Sequence, residues 1–297
     1  MNYAVGIDIG GTNTRVAIID EKLNIVERIQ FRTNAQDPYE TIGNIKKQLD
    51  KFTYEYIGVG VSCPGPLDLV NGIVLNTPNL KGKWWNFPIT KELSAITGLP
   101  VFLENDANLA ALAEATVGKG KGKRYVQFLT ISTGVGSGLV IDKNIYIGAH
   151  GFAHEIANMC LWRDGPSHGT IYPGGIEAIC SGTAITNRAI QAGLDVKHAG
   201  EVNDLAKTGN KDALRIMEDA KEYLANALAT IYAIVDPEII ILGGSVALKV
   251  EGFVEDVEQR VKTKVYPVMK DLIFITKSNL NEDSGLIGAG CLAFNKT

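Results

Sequence analysis

The sequence is poor in the features that mark specialised protein classes. Cysteine occurs only four times in 297 residues, at Cys63, Cys160, Cys180 and Cys291, and never as a C-x-x-C pair. That spacing suits neither a disulfide framework nor a four-cysteine zinc site, so reduced and mostly buried thiols are expected. An excess of one charge is also missing: 29 Lys and Arg face 33 Asp and Glu, a formal charge of −4. This balance offers no electrostatic footprint for nucleic acid or an anionic membrane. No apolar run approaches the ~20 residues that span a bilayer. The opening Met1-Asn2-Tyr3 carries neither a basic stretch nor a cleavage site, so a cytoplasmic protein is expected.

What remains is an ordinary globular composition, 45% apolar and 21% charged, in a chain long enough for two modest domains. Apolar strand-like runs occur at Tyr3–Ile9, Val16–Ile19, Asn24–Phe31, Ile57–Ser62 and Pro100–Leu103, with helical patterns over 39–51 and from Asp106 to about Gly118. Lys119–Arg124 reads K-G-K-G-K-R and is the best domain boundary, with a hinge or a solvated loop as its two readings. Beyond it the plan repeats: strands at Tyr125–Ser132 and Gly138–Ile141, an irregular stretch over 148–173, and a long helix over Lys211–Val235. A strand at Ile239–Leu242, a helix over 250–265, a strand at Leu272–Thr276 and a closing helix over Ser284–Phe294 complete it. Strands first and helices after, twice over, predict two related α/β domains with a cleft between them.

Three glycine-rich turns stand out. Asp8-Ile9-Gly10-Gly11-Thr12-Asn13 lies between two strands; its glycines admit close backbone approach, and successive N–H groups form a nest for an anion. Asp8 would repel a phosphate but can hold Mg²⁺ through water. Alone, the segment also reads as a plain hairpin turn. Ser132-Thr133-Gly134-Val135-Gly136 has the same ingredients at the start of the second half, and two such turns suggest loops gripping a polyphosphate. Ile241-Leu242-Gly243-Gly244 ends a strand where backbone can pass under a flat adenine ring. Finally, Glu104-Asn105-Asp106 joins a strand to a helix. Asp106 there reads by itself as a helix cap, and equally as a carboxylate able to accept a proton from an attacking hydroxyl.

Taken together, D-I-G-G-T, E-N-D-A-N, S-T-G-V-G-S-G, D-P-E-I-I-I-L-G-G and the closing G-L-I-G-A-G resemble the ROK family of sugar kinases, in order and over essentially the whole chain. The resemblance implies an α/β fold of two ribonuclease-H-like domains of the actin–hexokinase type with an interdomain cleft. The small lobe would be residues 1–118 with 285–297, and the large lobe residues 119–284. It implies ATP and Mg²⁺, a sugar partner and a homodimer. Asp106 becomes the catalytic base and Asn105 its sugar-binding neighbour. Gly10, Gly11, Thr12, Asn13, Thr133 and Gly134 match phosphate loops, Gly243 and Gly244 an adenosine motif, Gly65 a backbone contact to the sugar, and Glu155 and Glu177 two sugar-binding glutamates.

The sequence departs from the family at one segment. Most members carry E-x-G-H and then cysteines that bind zinc; here Asn158 replaces the histidine, and His168, Thr170 and Gly175 occupy the cysteine positions. A hydroxyl and a glycine do not replace thiolates, so no zinc is expected and packing must hold the loop. An alternative set of His150, His154, Cys160 and His168 has no recognised ligand spacing. Asn158 also alters the family's contact near C2 of the sugar, so glucose and N-acetylmannosamine both stand as candidate substrates for phosphorylation, with O6 the expected hydroxyl. Gly243-Gly244-Ser245-Val246, Pro78-Asn79-Leu80 and Phe87-Pro88 lean toward the bacterial N-acetylmannosamine kinases. Two other readings compete: a sugar-sensing repressor, which needs a DNA-binding domain ahead of a phosphate loop that here begins at Gly10, and a catalytically silent sugar binder, which has no need of Asp106.

Overall fold

The computed structural model describes residues 2–280 and 283–297. The chain divides into two compact units, Met1–Val117 with Ile147–Gly151 and Glu282–Thr297, and Gly118–Tyr146 with Phe152–Asn281. The short segment 147–151, read in the sequence as part of the irregular middle, clusters with the first unit.

The first unit is built on β1 (Tyr3–Ile9), β2 (Asn13–Asp20), β3 (Ile25–Arg32), β4 (Tyr56–Cys63) and β7 (Val101–Asn105), ordered β3-β2-β1-β4-β7. The first three run antiparallel, whereas β1, β4 and β7 are parallel. Helices α1 (Pro38–Leu49), α2 (Ile89–Thr97) and α3 (Asp106–Thr116) and a small hairpin, β5 (Leu67–Asp68) and β6 (Ile73–Val74), complete it together with α10 (Ser284–Lys296). Asp37 caps α1 by accepting the Tyr39 N–H at 3.0 Å, with Pro38 preset at the first helical position. One core gathers Val5, Ile7, Val59, Val61, Ile89 and Trp84.

Small residues let α10 lie against the sheet and α3 at backbone distance. A Cβ on Gly60 would stand 1.9 Å from the Ala289 carbonyl oxygen, and one on Gly288 would stand 2.1 Å from that of Leu109. The contact leaves no room for a side chain. It also explains why α3 is buried from Ala107 through Ala115, as befits its alanine-rich sequence.

The second unit repeats the plan. β8 (Tyr125–Ile131), β9 (Val135–Ile141), β10 (Asn144–Ile145), β11 (Ile239–Gly243) and β12 (Ile275–Lys277) are ordered β10-β9-β8-β11-β12, with β8, β11 and β12 parallel. Its helices are α4 (Ile176–Cys180), α5 (Gly182–Gln191), α6 (Ala199–Lys207), α7 (Lys211–Val235), α8 (Gly244–Lys249) and α9 (Phe253–Lys262). A separate core forms from Leu129, Ile131, Ile179, Ile216, Leu224 and Phe253 with their neighbours.

Two elements of the second unit begin later than the sequence reading places them. The helix expected over 250–265 begins at Phe253, because Gly252 takes φ 73°, and ends at Lys262. The strand expected at Leu272–Thr276 is Ile275–Lys277; before it, Pro267 starts a 3₁₀ turn through Leu272. No helix among the described residues is long and apolar enough to cross a membrane.

Candidate active site

In the first unit the parallel strands β1, β4 and β7 run in register, Asp8 beside Ser62 and Ser62 beside Glu104. Their carboxyl ends therefore bring together Asp8, the turn of Gly10, Gly11, Thr12 and Asn13, the turn of Gly65 after β4, and Asn105-Asp106. Ligands of open α/β sheets gather at such strand ends. The Gly10 N–H donates to the Asn13 carbonyl at 2.9 Å, closing the first turn with Gly11 and Thr12 at its tip. Ser62 Oγ donates to Asp8 Oδ1 at 2.8 Å, and Arg15 stands 3.9 Å from Asp8 Oδ2. Burial raises the Asp8 carboxyl above its ordinary value, with the Ser62 hydrogen bond and then Arg15 opposing. The Cys63 thiol is pushed well up, first by burial and then by the charges of Asp106 and Asp8, so it is an inert neighbour of both carboxylates.

The turn into α3 corrects one expectation. Asn105, not Asp106, is the N-cap: its backbone is extended and its Oδ1 accepts the Ala107 N–H at 2.9 Å. Asp106 is the first helical residue and is exposed; an acidic side chain in a first helical turn is favoured by the helix dipole. Beneath them lies Glu104, buried, accepting from the Asn105 N–H at 2.8 Å and from Asn108 Nδ2 at 3.0 Å. This bracing pair lay inside the quoted motif, yet nothing in the sequence distinguished the buried glutamate from the exposed aspartate beside it.

In the second unit, Ser132, Thr133 and Gly134 form the turn between β8 and β9. The Ser132 N–H donates to the Gly134 carbonyl at 2.9 Å, and the Gly182 N–H donates to the Ser132 carbonyl at 2.6 Å. Glu177, expected as a sugar ligand, has Oε2 accepting the Val135 N–H at 2.9 Å. A Cβ on Gly134 would fall 2.6 Å from that same oxygen. Gly243 ends β11, and Gly244 turns with φ 82°, bringing Ser245 Oγ within 3.4 Å of Ser132 Oγ. Beside these turns opens a cavity of about 1010 Å³, walled by α5, α6 and α8. Thr133 lines it together with Val196, Asn203, Lys207 and Val246. The α5 and α6 wall escaped the sequence reading, because helices of ten and nine residues offer only a few apolar positions each.

The ROK family model matches residues 4–296. The chain belongs to the ROK family. It is 31% identical to a glucokinase of Thermotoga maritima over 97% of this chain and 96% of that one. It is likewise 31% identical to an N-acetylmannosamine kinase of Salmonella typhi, over 99% of both. Among solved structures, a ROK hexokinase from Thermus thermophilus superposes with a TM-score of 0.90 at 29% identity, covering 99% of this chain and 98% of that one.

Hydrogen bonds and ring contacts tie the segment in which the sequence departs from the zinc pattern. Asn158 Oδ1 accepts the Tyr172 N–H at 2.9 Å, and Cys160 Sγ donates to the Pro173 carbonyl at 3.3 Å. Trp162 stacks on Tyr223 with centroids 4.8 Å apart and planes 5° from parallel, and Arg188 lies 5.8 Å from the Trp162 centroid. Among the described residues no three His, Cys, Asp or Glu side chains are grouped to hold a metal. The Ile176 N–H bonds the Met159 carbonyl at 3.0 Å and draws the 155–158 turn, with Glu155 and Asn158, to the start of α4 next to Glu177. Burial raises the Glu155 carboxyl and lowers the His154 imidazole.

Proposed function

We propose that the chain transfers the γ-phosphoryl group of ATP to the O6 hydroxyl of a hexose or N-acylhexosamine, with glucose and N-acetylmannosamine as the leading substrates. Its family and its near full-length likeness to glucokinases and N-acetylmannosamine kinases make it a sugar phosphotransferase. The observation that carries the mechanism is the exposed Asp106 at the start of α3, beside Asp8 and the Gly10–Gly11 turn at the same strand ends.

In this reading Asp106 accepts the proton of the sugar hydroxyl as that oxygen attacks phosphorus. Asn105 uses its Oδ1 as the helix cap, which leaves its NH₂ to donate to a neighbouring sugar hydroxyl. Gly65, Glu155, Asn158 and Glu177 complete the sugar contacts. Glu177 has a second function in holding the Thr133–Gly134 turn. That turn and Gly10–Asn13 supply N–H and hydroxyl donors to the phosphates, and Gly243 and Gly244 lie under the adenosine. The Asp8 carboxylate, a hard oxygen donor held by Ser62, fits Mg²⁺ held through water. That ion, when bound, supplies charge neutralisation at the phosphates. A homodimer and a cytoplasmic location belong to the same proposal.

The test is a coupled ADP-release assay over hexoses, their 6-deoxy forms, 2-acetamido sugars and β-glucosides. Turnover on glucose or N-acetylmannosamine, absent for the 6-deoxy analogue, is the expected result. Sugar and nucleotide binding without turnover on any compound would leave a silent binder of the same fold instead.

A further inference from the structure

Behind the exposed Asp106 runs a relay of hydrogen bonds that begins at a buried acid. Glu104 is 5% exposed at the carboxyl end of β7. Its Oε1 accepts two donors, the Asn105 N–H at 2.8 Å and Asn108 Nδ2 at 3.0 Å. The first bond holds the residue before Asp106, and the second reaches the next turn of α3. Asn105 Oδ1 and Asp106 Oδ1 then share one donor, the Ala107 N–H, at 2.9 and 2.8 Å. The relay thus passes from Glu104 through the start of the helix to the Asp106 carboxylate itself.

This arrangement does not serve stability. Burial raises the Glu104 carboxyl, which forms no ion pair among the described residues. Asn108 is also 5% exposed, and its Oδ1 is buried without a hydrogen-bond partner among them. A buried acid with no counter-ion and a buried amide with one end unmatched both weaken the fold. The helix start needs neither, because Asn105 already caps it. Polar groups kept at the expense of stability are expected where function requires them.

We propose that Glu104 is a positioning residue for phosphoryl transfer. With Asn108 it holds the turn of Asn105, Asp106 and Ala107 so that the Asp106 carboxylate keeps one direction toward the attacking hydroxyl. The proposal rests on the reading of Asp106 as proton acceptor and goes beyond it, to a side chain that acts through its neighbours. An acceptor misplaced by about an ångström can lose up to about a hundredfold in rate. The accepting oxygen carries the effect, not the charge. Gln keeps that oxygen at the same reach, whereas Met has a similar length and no comparable acceptor.

The experiment is steady-state kinetics of the full chain with ATP and the hexoses and 2-acetamido sugars of the panel above. Wild type, Glu104→Gln and Glu104→Met are compared at a temperature well below their melting points, which are measured alongside. Glu104→Met should lower kcat about tenfold with both KM values within about twofold, and Glu104→Gln should keep kcat within about twofold. A Met variant whose kcat stays within about threefold of wild type overturns the proposal, as does a change confined to KM. A Gln variant as impaired as Met also overturns it, by assigning the effect to the charge. A merely structural acid would lower the melting temperature of the Met variant and leave the kcat of the folded enzyme unchanged. Should Glu104→Met fail to fold, Asn108→Ala decides: a kcat lower by about threefold or more supports the relay, and a smaller change overturns it. If wild type turns over no sugar, the kinase reading and the proposal fall together; an active wild type beside an equally active Met variant removes the proposal alone.

Discussion

The two units share one strand order but finish their strands with opposite chemistry. In the first, the penultimate residue of β1 is Asp8, paired across the sheet with Ser62; in the second, the corresponding place on β8 is Thr130, paired with Gly243. The turns that follow differ likewise: Gly10-Gly11-Thr12-Asn13 lies beside carboxylates, whereas Ser132-Thr133-Gly134 lies among hydroxyls and glycines. In the proposed reading the carboxylates of the acidic end serve as proton acceptor and cation ligand, while the N–H groups of the Gly10–Asn13 turn beside them face the phosphates. The neutral end offers N–H groups and hydroxyls to the same anion. One architecture, used twice, thus supplies two electrostatic environments.

The largest expected effect tests the acidic end. Asp106→Asn should lower kcat by about a hundredfold or more while sugar affinity, read by calorimetry, changes little. A variant with near-normal turnover would leave the first unit's acidity without a chemical purpose. Next comes the seam that holds that end in place. Gly60→Ala sets a methyl against the Ala289 backbone, which cannot swing aside, so a loss of about 3 kcal/mol and a melting temperature lower by roughly 6–12 °C are expected.

The neutral end also leans on an acid, but from behind. Glu177→Ala removes the acceptor of the buried Val135 N–H and should weaken ADP binding about tenfold, by calorimetry, with a melting temperature lower by a few degrees. An unchanged affinity would mean that the second turn holds its shape without Glu177.

The smallest effect is a pH slope. Burial raises the Glu104 carboxyl above its ordinary 4.5, so the folded state favours the protonated form. The contribution of this group to stability is therefore intact below pH 4.5 and is lost as pH rises through the folded value. Glu104→Gln should flatten that part of the fall, visible as a smaller difference in urea midpoint between pH 5 and pH 8 than in wild type.

The strands and their glycine turns were legible because most strands are buried apolar runs, with β3 an alternating one, broken by residues that turn the chain. Asp106 and the glycines were singled out by their place at strand ends and by the family resemblance. The capping role of Asn105 was not legible, since Asn and Asp compete equally for that position and only the backbone angles decide. Asn203 was invisible for a different reason: a polar residue on a short amphipathic helix reads as solvated, and only tertiary packing buries it. The function of Asn158 in tying the 158–172 loop was hidden similarly, because a side chain bonded to a backbone N–H fourteen residues away leaves no periodic trace.

The placement of α10 has a consequence for how the polypeptide is made. Ser284–Lys296 packs against β1, β4 and α3, elements that leave the ribosome well before it. The first unit must therefore wait, its glycine seam uncovered, until the second unit has been translated. The second unit is largely contiguous in the chain and can consolidate earlier. Of the two units, the one begun earlier is thus the later to become complete.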